Sequence, residues 1–240
     1  MIFSLEFKKI RRAGYLPLFL AGGILSSTVP LVNMAVRPET FTGLPGGSFP
    51  ILMDANWSIM AQLTILLIVC GCCLIYHTEY ADRGDLKMNT LPVRQSSLFC
   101  GKFGIMLLAV VLTLLFQSAS LAFSSVYWFS DRSVNMKELV QGMGYELILL
   151  LPTLALMLFA ASLCQSMWIS LGTGVILTFL GSMIHENRLI LAMLPFAAPY
   201  RMLHTVSPMD AKTCLIICGA ETVLFGAMEM IYLHTRRKFA

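Results

Sequence analysis

Four long apolar stretches constrain this chain more than any other feature of its sequence. Each holds about twenty uncharged and mostly apolar residues, which is the length a helix needs to cross the hydrocarbon core of a bilayer. They cover residues 15–36, 57–77, 103–129 and 147–164. Two further stretches, 167–184 and 213–234, have a similar length, although the second contains two glutamates. The sequence therefore predicts an all-α membrane protein with six transmembrane helices.

The overall composition agrees with this class and excludes an ordinary water-soluble domain. Hydrophobic residues make up 57% of the chain and charged residues only 12%, against about 25% charged in soluble domains. The net charge of +4 does not indicate a nucleic-acid partner, because most Lys and Arg residues flank the apolar stretches. In that position they set the orientation of the helices in the membrane.

The first twelve residues predict an amphipathic helix at the membrane surface. Phe3, Phe7 and Ile10 share one helical face, while Lys8 and Lys9 point elsewhere. Basic residues next to the first span place the N-terminus in the cytoplasm, and six crossings return the basic C-terminus to the same side. We therefore expect a multi-pass protein of the cell membrane with both termini cytoplasmic.

The distribution of all seventeen basic residues supports this orientation over its inverse. Eleven fall on the cytoplasmic side, namely Lys8, Lys9, Arg11, Arg12, Arg83, Lys87, Arg94, Lys102, Arg236, Arg237 and Lys238. Six fall outside, namely Arg37, Arg132, Lys137, Arg188, Arg201 and Lys212. Cytoplasmic loops are the ones that carry an excess of Lys and Arg.

Two of the outer segments differ in character. Residues 37–56 are rich in Pro and Gly, which predicts an irregular, water-facing loop. Residues 189–200 are apolar but short, and they contain Pro195 and Pro199, so we expect an interfacial or re-entrant segment rather than a seventh span.

The stretch 77–102, between the second and third spans, is the most charged part of the chain. Glu79 and Arg83 stand four residues apart and can pair on a helix, Gly84 permits a bend, and Pro92 discourages helix at Leu91. This pattern predicts a short cytoplasmic helix, a turn and a second short element along the membrane. A solvated loop is the alternative, but it would not explain the interleaved apolar residues Leu86, Met88, Leu91 and Val93.

The same stretch carries a resemblance to a known family. Its residues Glu79, Gly84, Lys87, 90–93, 98–99 and 101–102 resemble the cytoplasmic loop of ABC-2 type permeases. The six-span plan and the amphipathic N-terminal helix are similar to that family along the whole chain. Within the family, the chain looks most like permease subunits of lantibiotic-immunity and related peptide-antibiotic exporters.

The resemblance implies a function and a set of partners. Residues 1–240 would form a single transmembrane permease domain, whose cytoplasmic coupling helix docks on an ATP-binding cassette subunit. The docking residues would be Glu79, Arg83, Gly84, Leu86, Lys87, Leu91 and Pro92. A second permease subunit, identical or homologous, would complete the exporter, and membrane lipid would surround it. The cargo would be a cationic amphipathic peptide, with a lipid or drug as the alternative.

The sequence lacks a phosphate-binding loop of the form G-x-x-x-x-G-K-[ST], since Gly101-Lys102 has neither the upstream glycine nor a following hydroxyl residue. We therefore expect no ATP hydrolysis and no cofactor on this chain, with ATP and Mg²⁺ bound by the partner. A membrane-embedded enzyme is disfavoured, because there is no H-E-x-x-H motif. A further alternative is a sensor or assembly subunit that binds partners without transporting a cargo.

Three glutamates interrupt the apolar spans. An ionised side chain near mid-bilayer costs about 2.5–3.5 kcal/mol on the insertion scale, so each should face the protein interior or a wet cavity. Glu146 and Glu221 are candidates for attracting a cationic substrate; the alternative is that they hydrogen-bond polar side chains such as Gln117, Ser118 or Ser120. Glu229 is expected to be structural and to reach His234 or the headgroup region.

The remaining candidate features are better explained by packing. Seven cysteines fall in or at the ends of the spans, where a thiol acts as a small apolar group. A soft-metal site at residues 70–77 is the weaker alternative, and we expect no metal site. Gly172, Gly174 and Gly181 in the fifth span, and Gly219 and Gly226 in the sixth, permit close approach of neighbouring helices.

Overall fold

The computed structural model describes residues 14–80, 95–129, 136–164, 166–184, 194–203 and 208–239. These residues form seven α-helices and one short 3-10 turn, and no strand occurs among them. The helices are α1 Tyr15–Val36, α2 Pro38–Thr42, α3 Ser48–Tyr80, α4 Gln95–Trp128, α5 Met136–Leu163, α6 Met167–Ile184 and α7 Pro208–Phe239. The 3-10 turn, Ala198–Tyr200, lies between α6 and α7.

Six of these helices are long and apolar enough to cross a membrane, which confirms the prediction of an all-α membrane protein with six spans. The bounds of α1 and α6 coincide with the apolar stretches 15–36 and 167–184. The agreement has a simple reason. A segment in hydrocarbon must satisfy its backbone hydrogen bonds within itself, so a span-length apolar stretch becomes a helix whatever surrounds it.

The other four spanning helices extend beyond their apolar stretches. The helix α3 begins at Ser48 instead of residue 57, and α5 begins at Met136 instead of residue 147. The prediction of an irregular loop over 37–56 was therefore wrong for α2 and for the first turns of α3. Pro38 and Pro50 are compatible with these helices because both lie in a first turn, where an amide has no intrahelical acceptor.

The centre of the bundle is formed by α3 and α5. The helix α3 packs against α1, α4, α5 and α6, and α5 packs against α7. Large side chains of α3 such as Trp57, Met60 and Ile65 are fully buried. The peripheral helices present exposed apolar residues, for example Ile24 on α1 and Ile216 on α7. Such surfaces suit contact with lipid tails, which are as apolar as these side chains.

Residues 194–203, which lie between α6 and α7 in the chain, contain the 3-10 turn, and this turn packs against α3, α5 and α6. Phe196, Ala197 and Ala198 are buried. The indole Nε1 of Trp57 donates to the carbonyl oxygen of Pro199 at 2.9 Å, and Thr153 donates to the carbonyl of Pro195. These bonds satisfy backbone groups that hydrocarbon would leave unpaired.

The burial of residues 195–200 favours the re-entrant alternative over the interfacial one for the described part of 189–200. Other predicted features lie outside the described residues: the N-terminal amphipathic helix, and the part of the connection between α3 and α4 that carries Arg83, Gly84, Leu86, Lys87, Leu91 and Pro92. Their predictions stay predictions.

Candidate functional site

Two regions of the bundle carry the chemistry that the sequence singled out. One lies at the end of the bundle where α3 ends and α4 begins, which we call the connection end. The other lies in the opposite half of α5 and α7, around Glu146 and Glu221. The two regions are built differently, because polar atoms are paired in the first and largely unpaired in the second.

At the connection end, Lys102 of α4 is nearly inaccessible, with 2% of its surface exposed. Its Nζ lies 2.5 Å from Oε2 of Glu79 on α3 and 3.8 Å from the ring centroid of Tyr76, one turn earlier on the same helix. A buried ammonium needs such compensation, which a carboxylate and an aromatic face both supply. Lys102 therefore ties the start of α4 to the end of α3.

The polar contacts continue from Tyr76 to two more helices. The hydroxyl of Tyr76 donates to Oε1 of Glu229 on α7, and Oγ of Ser162 on α5 donates to Oε2 of the same carboxylate at 2.7 Å. Tyr80 adds a further link, because its hydroxyl donates to the carbonyl oxygen of Ser162 at 2.5 Å. We call Lys102, Glu79, Tyr76, Tyr80, Glu229 and Ser162 the base network.

The base network changes two interpretations from the sequence. Glu229 is structural, as predicted, but the prediction that it reaches His234 or the headgroups was wrong: it is fully buried against α3 and α5. The reason is helical geometry, since residues five apart do not share a face. Glu79, predicted as a docking residue, has its Oε2 turned inward to Lys102.

Glu146 occupies a very different environment. It lies in the third turn of α5 and is buried, and neither carboxylate oxygen has a hydrogen-bond partner among the described residues. Gly142, one turn earlier on the same face, lies against Met53 of α3, while Thr153, two turns later, binds the re-entrant segment. Glu146 therefore lies on the face of α5 that points to α3 and this segment.

Glu221 lies on α7 and is partly exposed, and its Oε2 is buried without a hydrogen-bond partner in the described part of the chain. It is close enough to Cys214 and Cys218 for electrostatic interaction. Tyr145 of α5 and Arg201 of the re-entrant segment approach the same Cys214. A carboxylate and a guanidinium thus flank a pair of thiols in the half of the bundle opposite the connection end.

Arg201 is the residue of this region that sequence reasoning missed. One of its guanidinium nitrogens, Nη1, is buried without a partner among the described residues. The six-span topology predicted from the sequence placed Arg201 on the outer side of the membrane. The signal was the prediction of an interfacial or re-entrant segment at 189–200, since a basic residue that follows a re-entrant segment is brought towards the bundle.

The alternative partners suggested for the two glutamates are engaged elsewhere. Gln117 donates to Oγ1 of Thr64 at 2.9 Å, Ser118 donates to the carbonyl of Leu115, and Ser120 donates to the carbonyl of Ser27. No hydrogen bond joins Glu146 to Glu221 in the described residues. The structure thus places both carboxylates inside or against the bundle, and buried oxygen atoms of each have no hydrogen-bond partner among the described residues.

The structure also shows no grouping of three or more His, Cys, Asp or Glu side chains suited to a metal ion within the residues it describes. Cys73 instead donates to Oγ of Ser170 at 3.3 Å, which joins α3 to α6. Among the described residues, the cysteine-rich turn of α3 therefore serves helix packing.

Comparison with known proteins identifies the class. The family model described as ABC-2 family transporter protein matches residues 2–181. The chain belongs to this family, and it is a multi-pass membrane protein of the permease type. No curated protein and no solved structure gives a significant match.

Proposed function

We propose that this chain is the permease subunit of an ATP-driven exporter and that it receives energy from a separate ATP-binding cassette subunit. The match to the ABC-2 transporter family over residues 2–181 carries this proposal. The sequence supports it by the absence of a phosphate-binding loop, so that ATP and Mg²⁺ would be bound by the partner. A second permease subunit, identical or homologous, would complete the complex.

The surface for the ATPase is the connection between α3 and α4 on the cytoplasmic side. The docking residues that the sequence predicts are Glu79, Arg83, Gly84, Leu86, Lys87, Leu91 and Pro92. The involvement of Glu79 in the base network refines this assignment: with its Oε2 bound to Lys102, Glu79 anchors the start of the connection and the residues after it contact the partner.

The cargo is a cationic amphipathic peptide of the lantibiotic type. Two observations support this choice: Glu146 and Glu221 lie in the outer half of adjacent helices, and both have carboxylate oxygens without hydrogen-bond partners among the described residues. A buried carboxylate without a partner is costly, and in membrane helices such a residue more often marks a substrate pathway than a packing site. A peptide ammonium would supply the missing partner.

A lipid with a zwitterionic headgroup is the second candidate, and Arg201 is the observation that favours it. The unpaired Nη1 of Arg201 offers a donor for a phosphate, while Glu221 offers an acceptor for an ammonium. Both groups are neighbours of Cys214. A peptide requires the carboxylates alone, whereas a phospholipid requires Arg201 as well.

One purified complex can test both the partner and the cargo. The affinity-tagged chain should recover a protein with an ATP-binding cassette from its native membrane. Lys87→Glu should abolish recovery by reversing a docking charge, while Lys137→Glu, on the opposite side of the membrane, should not. Recovery of no ATPase with the wild-type chain would overturn the proposed function.

The recovered complex is then reconstituted in vesicles with ATP and offered either a fluorescent lantibiotic or a fluorescent phosphatidylethanolamine. Glu221→Gln and Glu146→Gln should each slow peptide transport about tenfold or more, as expected for loss of a buried charge pair. Glu138→Gln, on the same helix as Glu146, serves as the control. Lipid transport that depends on Arg201 would replace the peptide with the lipid as cargo.

A further inference from the structure

The base network joins four helices through side chains that are widely separated in sequence. Tyr76 and Glu229 are 153 positions apart, and Ser162 and Glu229 are 67 apart. The contacts run from Lys102 on α4 to Glu79 and Tyr76 on α3, then to Glu229 on α7, and finally to Ser162 on α5. The network is continuous, because each member contacts the next.

Tyr76, Lys102, Ser162 and Glu229 are buried and Glu79 and Tyr80 are partly buried, which makes the network resistant to breaking. Glu229 is 0% exposed, and the side chains of Lys102 and Glu79 are 3% and 12% exposed. A charge or hydroxyl that loses its partner in such a place has no water to replace it. When the end of one helix is displaced, breaking a contact of the network therefore costs more free energy than moving the other three helix ends with it.

The base network lies directly beside the connection between α3 and α4, on both of its ends. Glu79 and Tyr80 are the last described residues before segment 81–94, and Lys102 lies two turns into the helix that follows it. A force on segment 81–94 therefore reaches the network from both sides. The network in turn holds α5 at Ser162 and α7 at Glu229, and these two helices carry Glu146 and Glu221 in their outer halves.

We infer that the base network transmits displacement of the α3–α4 connection to α5 and α7, so that Tyr76 and Glu229 are positioning residues for coupled transport. The inference rests on the proposed function, because it takes the ATPase as the source of the displacement. It adds to that function the route by which movement at the connection end reaches the outer halves of the two glutamate-bearing helices.

A network that only stabilises the fold and a network that also transmits displacement lead to different expected results. In both cases a broken contact lowers the thermal stability of the chain. Only a transmitting network also loses the nucleotide-dependent movement of α7 in a variant that still folds and still holds its ATPase. The deciding measurement is therefore a distance that changes with nucleotide, recorded beside stability.

The experiment uses the complete complex in lipid nanodiscs, with spin labels at Trp168→Cys on α6 and Thr235→Cys on α7. Both positions are exposed and lie near the connection end, and α6 contributes no residue to the network. The accessible thiols Cys70, Cys100 and Cys164 are replaced by serine. Distances are measured by electron paramagnetic resonance with and without a non-hydrolysable ATP analogue.

Four variants separate the possibilities. Tyr76→Phe keeps the ring beneath Lys102 and removes only the hydroxyl that binds Glu229, whereas Glu229→Leu removes the acceptor altogether. Glu229→Gln retains a carbonyl acceptor for Tyr76 and is the conservative rescue. Tyr232→Phe, three residues along the same helix, is the matched control, because its ring packs against Phe159 and no hydrogen bond of its hydroxyl occurs in the described residues.

We expect the analogue to shift the 168–235 distance in the wild type, in Tyr232→Phe and in Glu229→Gln. Tyr76→Phe and Glu229→Leu should lose most of that shift while still binding the ATPase and nucleotide. A full shift in Tyr76→Phe, or no shift in the wild-type complex, would overturn the inference and leave the proposed function standing. Absence of the ATPase from the wild-type complex would instead overturn the proposed function. If Glu229→Leu does not fold, Tyr76→Phe decides alone.

Discussion

At the scale of single residues, two buried carboxylates in this bundle show opposite states of pairing. Glu229 accepts hydrogen bonds from Tyr76 and Ser162, whereas both oxygens of Glu146 lack a partner in the described residues. A paired buried group contributes to stability, while an unpaired one lowers it by the cost of desolvation. The difference suggests that Glu146 is present for a reason other than folding.

This difference predicts opposite effects of the same substitution. Glu146→Leu should raise the free energy of unfolding by about 1–3 kcal/mol, because an apolar side chain removes an unsatisfied buried group. Glu229→Leu should lower it by a similar amount, since Tyr76 loses its acceptor. Thermal unfolding of the two variants in one detergent measures both effects. A loss of stability in Glu146→Leu would show that its carboxylate has a structural partner.

At the scale of elements, the contact between α6 and the re-entrant segment depends on a missing side chain. A Cβ atom added at Gly181 would lie 2.1 Å from the carbonyl oxygen of Phe196 and 2.6 Å from its carbonyl carbon. Those atoms belong to the backbone and cannot rotate away. The sequence predicted close packing at Gly172, Gly174 and Gly181, but at Gly172 nothing lies within 4 Å of such a Cβ atom.

The two glycines therefore form a matched pair for a test of this contact. Gly181→Ala should destabilise the protein by about 1–3 kcal/mol, as overpacking does, because the re-entrant segment must move. Gly172→Ala should be neutral or stabilise by up to about 1 kcal/mol, since alanine favours helix over glycine. Thermal unfolding compares them. Equal stability of both variants would contradict the observed approach of Phe196 to α6.

At the scale of the whole molecule, the orientation in the membrane is predicted from charge. The count of eleven basic residues against six predicts that the connection end faces the cytoplasm. Cys100, an exposed native thiol, lies in the second turn of α4 at this end, and Thr42 lies at the end of α2 on the opposite side. The two positions can report on opposite faces of the membrane.

We predict that a membrane-impermeant maleimide labels Cys100 in inverted vesicles and leaves it unmodified in intact cells. Thr42→Cys, introduced into a chain whose Cys100 has been replaced by serine, should show the reverse pattern. Mass analysis of the labelled chain gives the result. Labelling of Cys100 from outside the cell would invert the orientation and remove the basis for docking an ATPase at the connection.

Much of the fold could be predicted because bilayer insertion is decided locally. The bounds of α1 and α6 agree with the apolar stretches, since a chain in hydrocarbon has no other way to satisfy its backbone. The early start of α3 at Ser48 could not be predicted in this way. Those turns are stabilised by the burial of Phe49 and Leu52 against other helices, and such packing leaves no regular signal in a proline-rich segment.

The sequence by itself determined the class of protein, its six spans and the ionisable residues that lie within or beside those spans. Tertiary structure alone decided which of those charges are paired. Lys102 and Glu79 bind each other, Tyr76 meets Glu229 across 153 positions, and Glu146 has no partner among the described residues. The physical reason is that helix formation depends on neighbouring residues, whereas the pairing of a buried charge depends on which distant helices pack together.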